Sequence, residues 1–157
     1  FLNIKNFNYI NRAVGARQGD MVLREFVRLA RQKLKPDEYF ARMGGDNFVL
    51  LAKKEHMGML LEQIDSMQVT VPYENGTKTF DLRSRIGVYD MRAGQPMGEG
   101  INAASTAMHA AKMSGKADRF CFDDQMVENA LRQKEIHKGF QALLRLCSVL
   151  SSSKNSR

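Results

Sequence analysis

The chain has 157 residues, of which 43% are hydrophobic and 26% charged, and its formal net charge is +7. This composition is that of a globular domain with a sizeable core, and it excludes an intrinsically disordered chain. No apolar run reaches membrane-spanning length, and the basic residues are dispersed without a nucleic-acid-binding motif. We therefore expect neither a membrane contact in this stretch nor a nucleic-acid partner.

Hydrophobic spacing predicts that strands and helices alternate along the chain. The expected strands are residues 1–4, 39–42, 48–52, 69–73, 79–89 and 119–122. The expected helices are residues 6–13, 17–34, 55–66, 101–111 and 123–149, with a glycine-rich loop at 92–100. Two hairpins, at residues 44–47 and at Asn75-Gly76, join consecutive strands. The pattern predicts an α+β (α/β) sandwich, in which helices pack on the faces of one mixed, mainly antiparallel sheet.

The same pattern divides the chain into a folded domain at residues 1–123, a C-terminal or linker helix at 124–150 and a polar tail at 151–157. We expect the tail to be disordered. The chain opens at Phe1 inside an apolar run, so we interpret it as a fragment whose first strand is truncated. Cys121 and Cys147 have no metal-ligand spacing and are predicted to be free thiols in the cytoplasm; the full-length protein could be membrane-anchored.

The segment Gly44-Gly45-Asp46-Asn47-Phe48 places two glycines and an acid in a tight turn between two apolar runs. Glycine permits positive φ and lets a ligand approach the backbone closely. Taken alone, the segment is equally well read as a solvated turn, because Asp and Asn are natural turn formers.

Four motifs in the correct order resemble those of one family, the GGDEF domains of diguanylate cyclases. Gly44-Gly45-Asp46-Asn47-Phe48 resembles the signature, with Asn47 in place of an acid. Arg85-Ile86-Gly87-Val88 resembles the family's S-I-G-I/V strand, and residues 107–116 resemble A-L-Y-x-A-K-x-x-G-R. The first motif matches in register at Phe7, Ile10, Asn11, Gly15, Gly19 and Asp20. The resemblance covers residues 1–123.

The resemblance implies a fold similar to the palm of polymerases and nucleotidyl cyclases. In that family two domains meet face to face, each holding one GTP, and together make cyclic di-GMP. Two divalent ions, usually Mg²⁺, bridge the triphosphate and the attacking 3′ oxygen, because Mg²⁺ prefers hard oxygen ligands.

Carried over residue by residue, the family's metal ligands fall on Asn3, the backbone carbonyl of Ile4 and Asp46. The catalytic positions of the signature fall on Asp46 and Asn47. Asn3 and Asn47 are neutral amides where the family has acids, and Lys5 brings a cation where it has another. We expect Mg²⁺ binding to be weakened and proton removal to be impaired, since an amide is a poor base.

The family's guanine-reading residues fall on Asn11 and Asp20, and both are retained. The local alternative is that both belong to helix-end chemistry. The phosphate-binding positions fall on Asn8, which replaces a Lys, on Lys112, and on Lys116, which replaces an Arg and loses its bidentate fork. Lys112 and Lys116 are also read as two solvated lysines one helical turn apart.

Three further parts of the chain align with features of the family. The family's product-inhibition motif R-x-x-D falls on Lys35-Pro36-Asp37-Glu38, so we expect no inhibitory cyclic di-GMP site. Arg42 matches the family and is interpreted as an ion-pair or structural residue. Residues 135–143 resemble the start of the linker between GGDEF and EAL phosphodiesterase domains.

Three functions remain open on this reading. The first is a degenerate, inactive GGDEF domain that senses GTP and regulates an adjoining EAL or sensor domain. The second is a weakly active diguanylate cyclase that uses Asp46 and Asn3. The third is a purely structural domain that forms a homodimer and has lost nucleotide binding.

Overall fold

The computed structural model describes residues 1–114 and 118–122. The strands are β1 Leu2–Ile4, β2 Tyr39–Gly44, β3 Asn47–Leu51, β4 Met67–Tyr73, β5 Gly76–Leu82, β6 Ser84–Val88 and β7 Arg119–Cys121. The helices are α1 Phe7–Val14, α2 Ala16–Arg31, α3 Lys54–Asp65 and α4 Met97–Ser114. The predicted helix at 123–149 and the tail at 151–157 lie outside the described residues.

The main sheet has the strand order β2-β3-β1-β6-β7 within the described part of the chain. β1 runs antiparallel to both β3 and β6, and β7 joins the edge of β6 as a parallel strand. This arrangement confirms the predicted α+β class with a mixed, mainly antiparallel sheet.

The predicted strand at 79–89 is wrong as a single element, and so is the prediction of one sheet. The chain changes partners at Arg83: β5 pairs only with β4 in a two-stranded sheet, whereas β6 enters the main sheet. At this break the carbonyl of Arg83 accepts from the Lys5 amide at 2.7 Å, and the Ser84 amide donates to the Asp65 carboxylate at 2.9 Å. The hydrophobic alternation runs through the break because both pieces bury one face.

Helix α4 begins at Met97, so the predicted loop at 92–100 is too long. Gly98 and Gly100 favoured a loop in the sequence, yet the carbonyl of Pro96 accepts from the amides of Glu99 and Gly100 in the first helical turn. A Cβ at Gly100 would lie 2.5 Å from the Met91 sulfur, so this glycine permits close packing of the helix. No helix in the described residues combines the length and apolar character needed to cross a bilayer.

The alternation of buried and half-buried side chains along β1 determines on which face of the sheet Asn3 lies. Leu2 and Ile4 are buried on the core face, where Leu2 lies opposite Phe48 and Ile86 on the neighbouring strands. That face packs around three aromatic rings, those of Phe26, Phe40 and Phe48, with centroids 5.1–5.7 Å apart. Because successive side chains in a strand point to opposite faces, Asn3 is placed on the other face of the sheet.

Candidate functional site

The β2–β3 turn holds the two signature glycines in conformations that suit glycine. Gly44 has φ of 140° and Gly45 has φ of 55°, and the strand register shifts between Arg42 and Gly44. A side chain at either glycine would strain the backbone. The tight turn brings Asp46 and Asn47 beside the end of β1, where the Ile4 amide donates to the Asp46 carbonyl at 3.0 Å.

Asn3 and Asn47 lie directly opposite each other on β1 and β3 and form a hydrogen bond. The Asn3 Nδ2 donates to the Asn47 Oδ1 at 3.0 Å, and the Asn47 Nδ2 donates to the Gly44 carbonyl at 3.3 Å. Both side chains are half-buried. The two amides therefore bind each other at the positions where the sequence resemblance placed a metal ligand and a catalytic acid.

Asp46 is half-buried and is placed next to this amide pair. Within the described residues its carboxylate makes no hydrogen bond or ion pair. Its negative charge is thus available to a cation or to a proton on a ligand. The backbone carbonyl of Ile4 remains a predicted metal ligand.

Lys5, which the sequence placed as a cation near the metal site, is paired with an acid. Its ammonium group forms an ion pair with the Asp118 carboxylate, just before β7. The lysine side chain is only 23% exposed in this position. The prediction placed this cation near the metal site; its charge is neutralised by Asp118.

One carboxylate and two mutually bonded amides are a poor donor set for two divalent ions. Mg²⁺ prefers carboxylates, and each additional anionic oxygen repays part of the cost of dehydrating the ion. Within residues 1–114 and 118–122, no group of three or more His, Cys, Asp and Glu side chains is arranged to hold a metal ion. The residues present therefore do not fit the Mg²⁺ pair that the resemblance implies.

Asn11 is packed against Gly19, across the α1–α2 junction. A Cβ at Gly19 would lie 1.9 Å from the Asn11 Oδ1 and 3.3 Å from the Phe7 ring. The Asn11 Oδ1 is buried and has no hydrogen-bond partner within the described part of the protein. A buried amide oxygen without a partner is rare and calls for an explanation, such as a water or a ligand donor.

Asp20 is held by two arginines. Its Oδ1 accepts from Arg42 Nη1 at 2.5 Å, and its Oδ2 accepts from Arg24 Nε at 2.8 Å. The hydrogen bond from Arg42, helped by the charge of Arg24, holds the pKa of the Asp20 carboxyl below its ordinary value. Asp20 is thus ionised at neutral pH. Each carboxylate oxygen has two lone pairs, so it retains capacity to accept further hydrogen bonds from a ligand.

Arg42 connects this acid to the signature turn, because its Nε donates to the Gly45 carbonyl at 2.7 Å. The structure therefore links Asp20 with the β2–β3 turn through a single side chain. The spacing of Asp20 and Arg24 at i and i+4 signals one of these pairs in the sequence. The pair with Arg42 has no such signal, since it joins residues from α2 and β2.

The structure does not bring the predicted phosphate-binding residues into contact with the other predicted site residues. Asn8 is exposed on α1, and Lys112 is exposed in the last turn of α4. Lys116 lies outside the described residues. The structure brings Asn3, Asp46 and Asn47 together and joins Asp20 to them through Arg42, while Asn8 and Lys112 stay separate predictions.

A cavity of about 710 Å³ opens at the other end of the main sheet. Its wall is mainly apolar, with Leu51, Met57, Ile101 and Phe122 among the lining residues, and it also includes Lys54 and Asp90. No predicted site residue in the described part of the chain lines it. The predicted residues lie at the polar end of the sheet, which is therefore the candidate site.

Comparison with known proteins shows which family this chain resembles over most of its length. Residues 1–118 match the family described as "Diguanylate cyclase, GGDEF domain". The chain is 30% identical over 154 residues to the bifunctional diguanylate cyclase/cyclic di-GMP phosphodiesterase MucR of Pseudomonas aeruginosa, covering 96% of this chain and 22% of MucR. It is 25% identical over 148 residues to the cyclic di-GMP phosphodiesterase NbdA of the same organism, covering 92% and 19%. The chain thus spans about a fifth of these relatives.

Solved structures show the same similarity. An EAL/GGDEF domain protein from M. capsulatus is 27% identical, with a TM-score of 0.63 over 78% of this chain and 81% of that one. The diguanylate cyclase SiaD of Pseudomonas aeruginosa, solved with its activator SiaC, is also 27% identical, with a TM-score of 0.61 over 76% and 46%.

Proposed function

The chain belongs to the GGDEF domain family of cyclic di-GMP signalling, and from this we propose that it is a catalytically silent domain that binds GTP and regulates an adjoining domain. The observation that carries the proposal is the hydrogen bond between Asn3 and Asn47. Two-metal catalysis requires anionic ligands to hold two dications, and a general base to remove a proton. Two amides that are hydrogen-bonded to each other supply neither an anionic metal ligand nor a general base.

Two residues that match the family's guanine-reading positions, Asn11 and Asp20, support the proposal that the domain binds GTP. Asp20 is an ionised carboxylate that can accept from N1–H and the 2-amino group of guanine. Asn11 lies at the same α1–α2 junction and offers an amide to a further edge of the base. The unpartnered Oδ1 of Asn11 is explained if a buried water donates to it, which leaves the Nδ2 of the amide for the base.

The proposal that the domain regulates an adjoining domain is based on its relatives. MucR is a bifunctional diguanylate cyclase/cyclic di-GMP phosphodiesterase and NbdA is a cyclic di-GMP phosphodiesterase. Each is about five times as long as the stretch that matches this chain. We propose that this domain likewise lies beside an EAL phosphodiesterase or a sensor domain, works in the cytoplasm and pairs with a second copy. GTP occupancy then changes the activity of the neighbouring domain.

A second function, that of a weak diguanylate cyclase, is favoured by Asp46. Its carboxylate is half-buried and has no partner within the described residues, so it is free to bind a divalent ion. A single strong ligand with amide and carbonyl oxygens around it supports slow turnover at high metal concentration.

Calorimetric titration with GTP, with and without Mg²⁺, tests the lead proposal. We expect binding that is weakened about tenfold in Asn11→Ala and abolished in Asp20→Asn. Absence of heat at millimolar GTP would contradict the proposal and leave a structural dimerisation domain.

Chromatography after incubation with GTP and Mg²⁺ or Mn²⁺ tests the second function. Cyclic di-GMP that forms with the wild type and not with Asp46→Ala would establish a weak cyclase. Product that forms equally with both proteins comes from a contaminating enzyme.

A further inference from the structure

Arg85 lies in the same cross-strand row as the amide pair. Asn3 on β1 is directly opposite Asn47 on β3 and directly opposite Arg85 on β6. Directly opposite residues in an antiparallel sheet share a face and have Cβ atoms about 5 Å apart. The row across three strands is therefore Asn47, Asn3, Arg85, with Asp46 on the adjoining turn.

The guanidinium of Arg85 is available to a ligand. Its side chain is half-buried, and in the part of the chain that the structure describes it makes no hydrogen bond or ion pair. Lys5, the other cation on this end of β1, is already paired with Asp118. A partly buried, unpaired charge is costly, so a bound anion would stabilise this residue.

The same cation opposes a divalent ion. A guanidinium about one strand away from the metal position repels a dication, and the repulsion is strengthened where water is partly excluded. With Asp46 as the one unpaired acid in this row and turn of the described structure, the local charge is close to neutral. The row suits a phosphate group better than it suits Mg²⁺.

We propose that Arg85 replaces a divalent cation in neutralising the nucleotide's phosphates. Its guanidinium binds the phosphate oxygens directly, so that GTP binding does not require Mg²⁺. The planar guanidinium presents N–H donors in a fork that matches phosphate geometry. The Asn3–Asn47 pair fills the space beside it without adding negative charge. This inference rests on the proposed function, because it assigns a residue to the phosphates of the GTP proposed there.

The test compares GTP with guanosine in the presence of EDTA, by calorimetry, for four proteins. The wild type should bind GTP at least tenfold more tightly than guanosine, since only GTP reaches Arg85. In Arg85→Gln this preference should fall about tenfold while guanosine affinity stays unchanged, and Arg85→Lys should keep part of it. Arg92→Gln, an exposed arginine beyond the far end of β6, removes the same charge and should match the wild type.

The outcomes separate the two claims. If neither GTP nor guanosine binds the wild type, the proposed function fails and the inference fails with it. If GTP binds but requires Mg²⁺, or binds Arg85→Gln as tightly as the wild type, only the inference is overturned. Unchanged guanosine binding by Arg85→Gln also shows that this variant is folded.

Discussion

At the scale of single residues, the candidate site differs from the family pattern because two amides, Asn3 and Asn47, stand where the family has carboxylates. Two carboxylates directly opposite each other on neighbouring strands repel and need a cation between them. Asn3 and Asn47 instead present a donor to an acceptor at 3.0 Å, so the two side chains attract each other directly. The amide pair adds a cross-strand contact, and we propose that it also removes the energetic need for a metal.

Restoring the acids should restore the need for metal. We expect the Asn3→Asp, Asn47→Asp double variant to lose about 1 kcal/mol of unfolding free energy in EDTA, because like charges then face each other. Millimolar MgCl₂ should raise its melting temperature and leave the wild type unchanged, since a ligand that binds only the folded state stabilises it. Adding Asp46→Asn removes the third acid and should abolish the response. A double variant indifferent to Mg²⁺ would contradict this account.

Gly19 provides a second test at this scale, because it makes room for Asn11. A Cβ in Gly19→Ala would meet the Asn11 Oδ1 at 1.9 Å and displace this side chain from its place. We expect GTP affinity to fall about tenfold, the equivalent of one hydrogen bond. Calorimetry measures this loss, and a change below twofold would refute the role of Asn11.

The matched control is Gly58→Ala, a glycine inside α3 with no atom near its missing Cβ. Both substitutions exchange Gly for Ala in a helix. Gly58→Ala should raise the unfolding free energy by about 0.5–1 kcal/mol and leave GTP binding unchanged.

At the scale of elements, one glycine and one buried pair hold helices in place. Gly87 lets the backbone of α4 lie against β6, since a Cβ there would approach the Ala104 carbonyl at 1.9 Å and the Met108 amide at 2.3 Å. Glu38, just before β2, is buried with His56 of α3, whose Nδ1 lies 2.8 Å from both carboxylate oxygens. These contacts fix the helices around the sheet that carries the site.

Gly87→Ala should push α4 away from the sheet. The obstacle is helix backbone, which cannot rotate aside, so we expect the unfolding free energy to fall by about 1–3 kcal/mol. Urea denaturation measures the change. Gly76→Ala, a strand glycine with open space around it, should stay within about 0.5 kcal/mol of the wild type and serves as the control.

The Glu38–His56 pair predicts a pH dependence. Burial raises the pKa of Glu38, but the Lys35 amide and His56 outweigh it, so the pKa lies below its ordinary value. A lowered carboxyl pKa contributes stability that is complete above the unfolded-state pKa and is lost as the pH falls through the folded-state pKa. The stability difference between wild type and Glu38→Gln should therefore be largest near neutral pH and shrink in acid.

At neutral pH we expect Glu38→Gln to cost about 2 kcal/mol, measured by urea denaturation over an acid-to-neutral pH series. Glu25→Gln, which breaks a helix-surface pair with Arg28, should cost below about 0.5 kcal/mol and controls for loss of a charge. An equal cost at every pH would refute the assignment to ionised Glu38.

At the scale of the whole molecule, the site joins separate parts of the chain. In the proposed site, α2 supplies Asp20, β2 supplies Arg42, the turn supplies Asp46, and β1 and β6 supply Asn3 and Arg85. A ligand that contacts several of these elements must stabilise the fold as a whole, because the unfolded chain does not hold them together.

GTP at about ten times its dissociation constant should stabilise the domain by about 1.4 kcal/mol, or a few degrees in melting temperature. ATP should give no such rise, since adenine has an acceptor at N1 and no 2-amino group to donate to Asp20. Asp20→Asn should abolish the GTP effect. Asp37→Asn, a highly exposed acid, should preserve it. Equal responses to ATP and GTP would exclude guanine recognition by Asp20.

Local patterns in the sequence were sufficient for the family and the α+β class. Within the described residues they also gave the order of the helices and of every strand except β5 and β6, which were predicted as one. Hydrophobic spacing reports which face of each element is buried, and the paired glycines of the signature require a special turn wherever they occur. The same patterns failed at Arg83 and at Met97. There, unbroken alternation and a glycine-rich stretch concealed a change of sheet and the first turn of a helix.

Only the tertiary structure decided which side chains meet. The sequence by itself predicted Asn3, Asn47 and Asp20 as site positions. It did not show that the two amides bind each other, that Arg42 joins Asp20 to the turn, or that Lys5 pairs with Asp118. It placed Arg85 in a familiar strand and did not show it beside Asn3. These partners are far apart in the chain, and only strand register and helix packing bring them within contact distance.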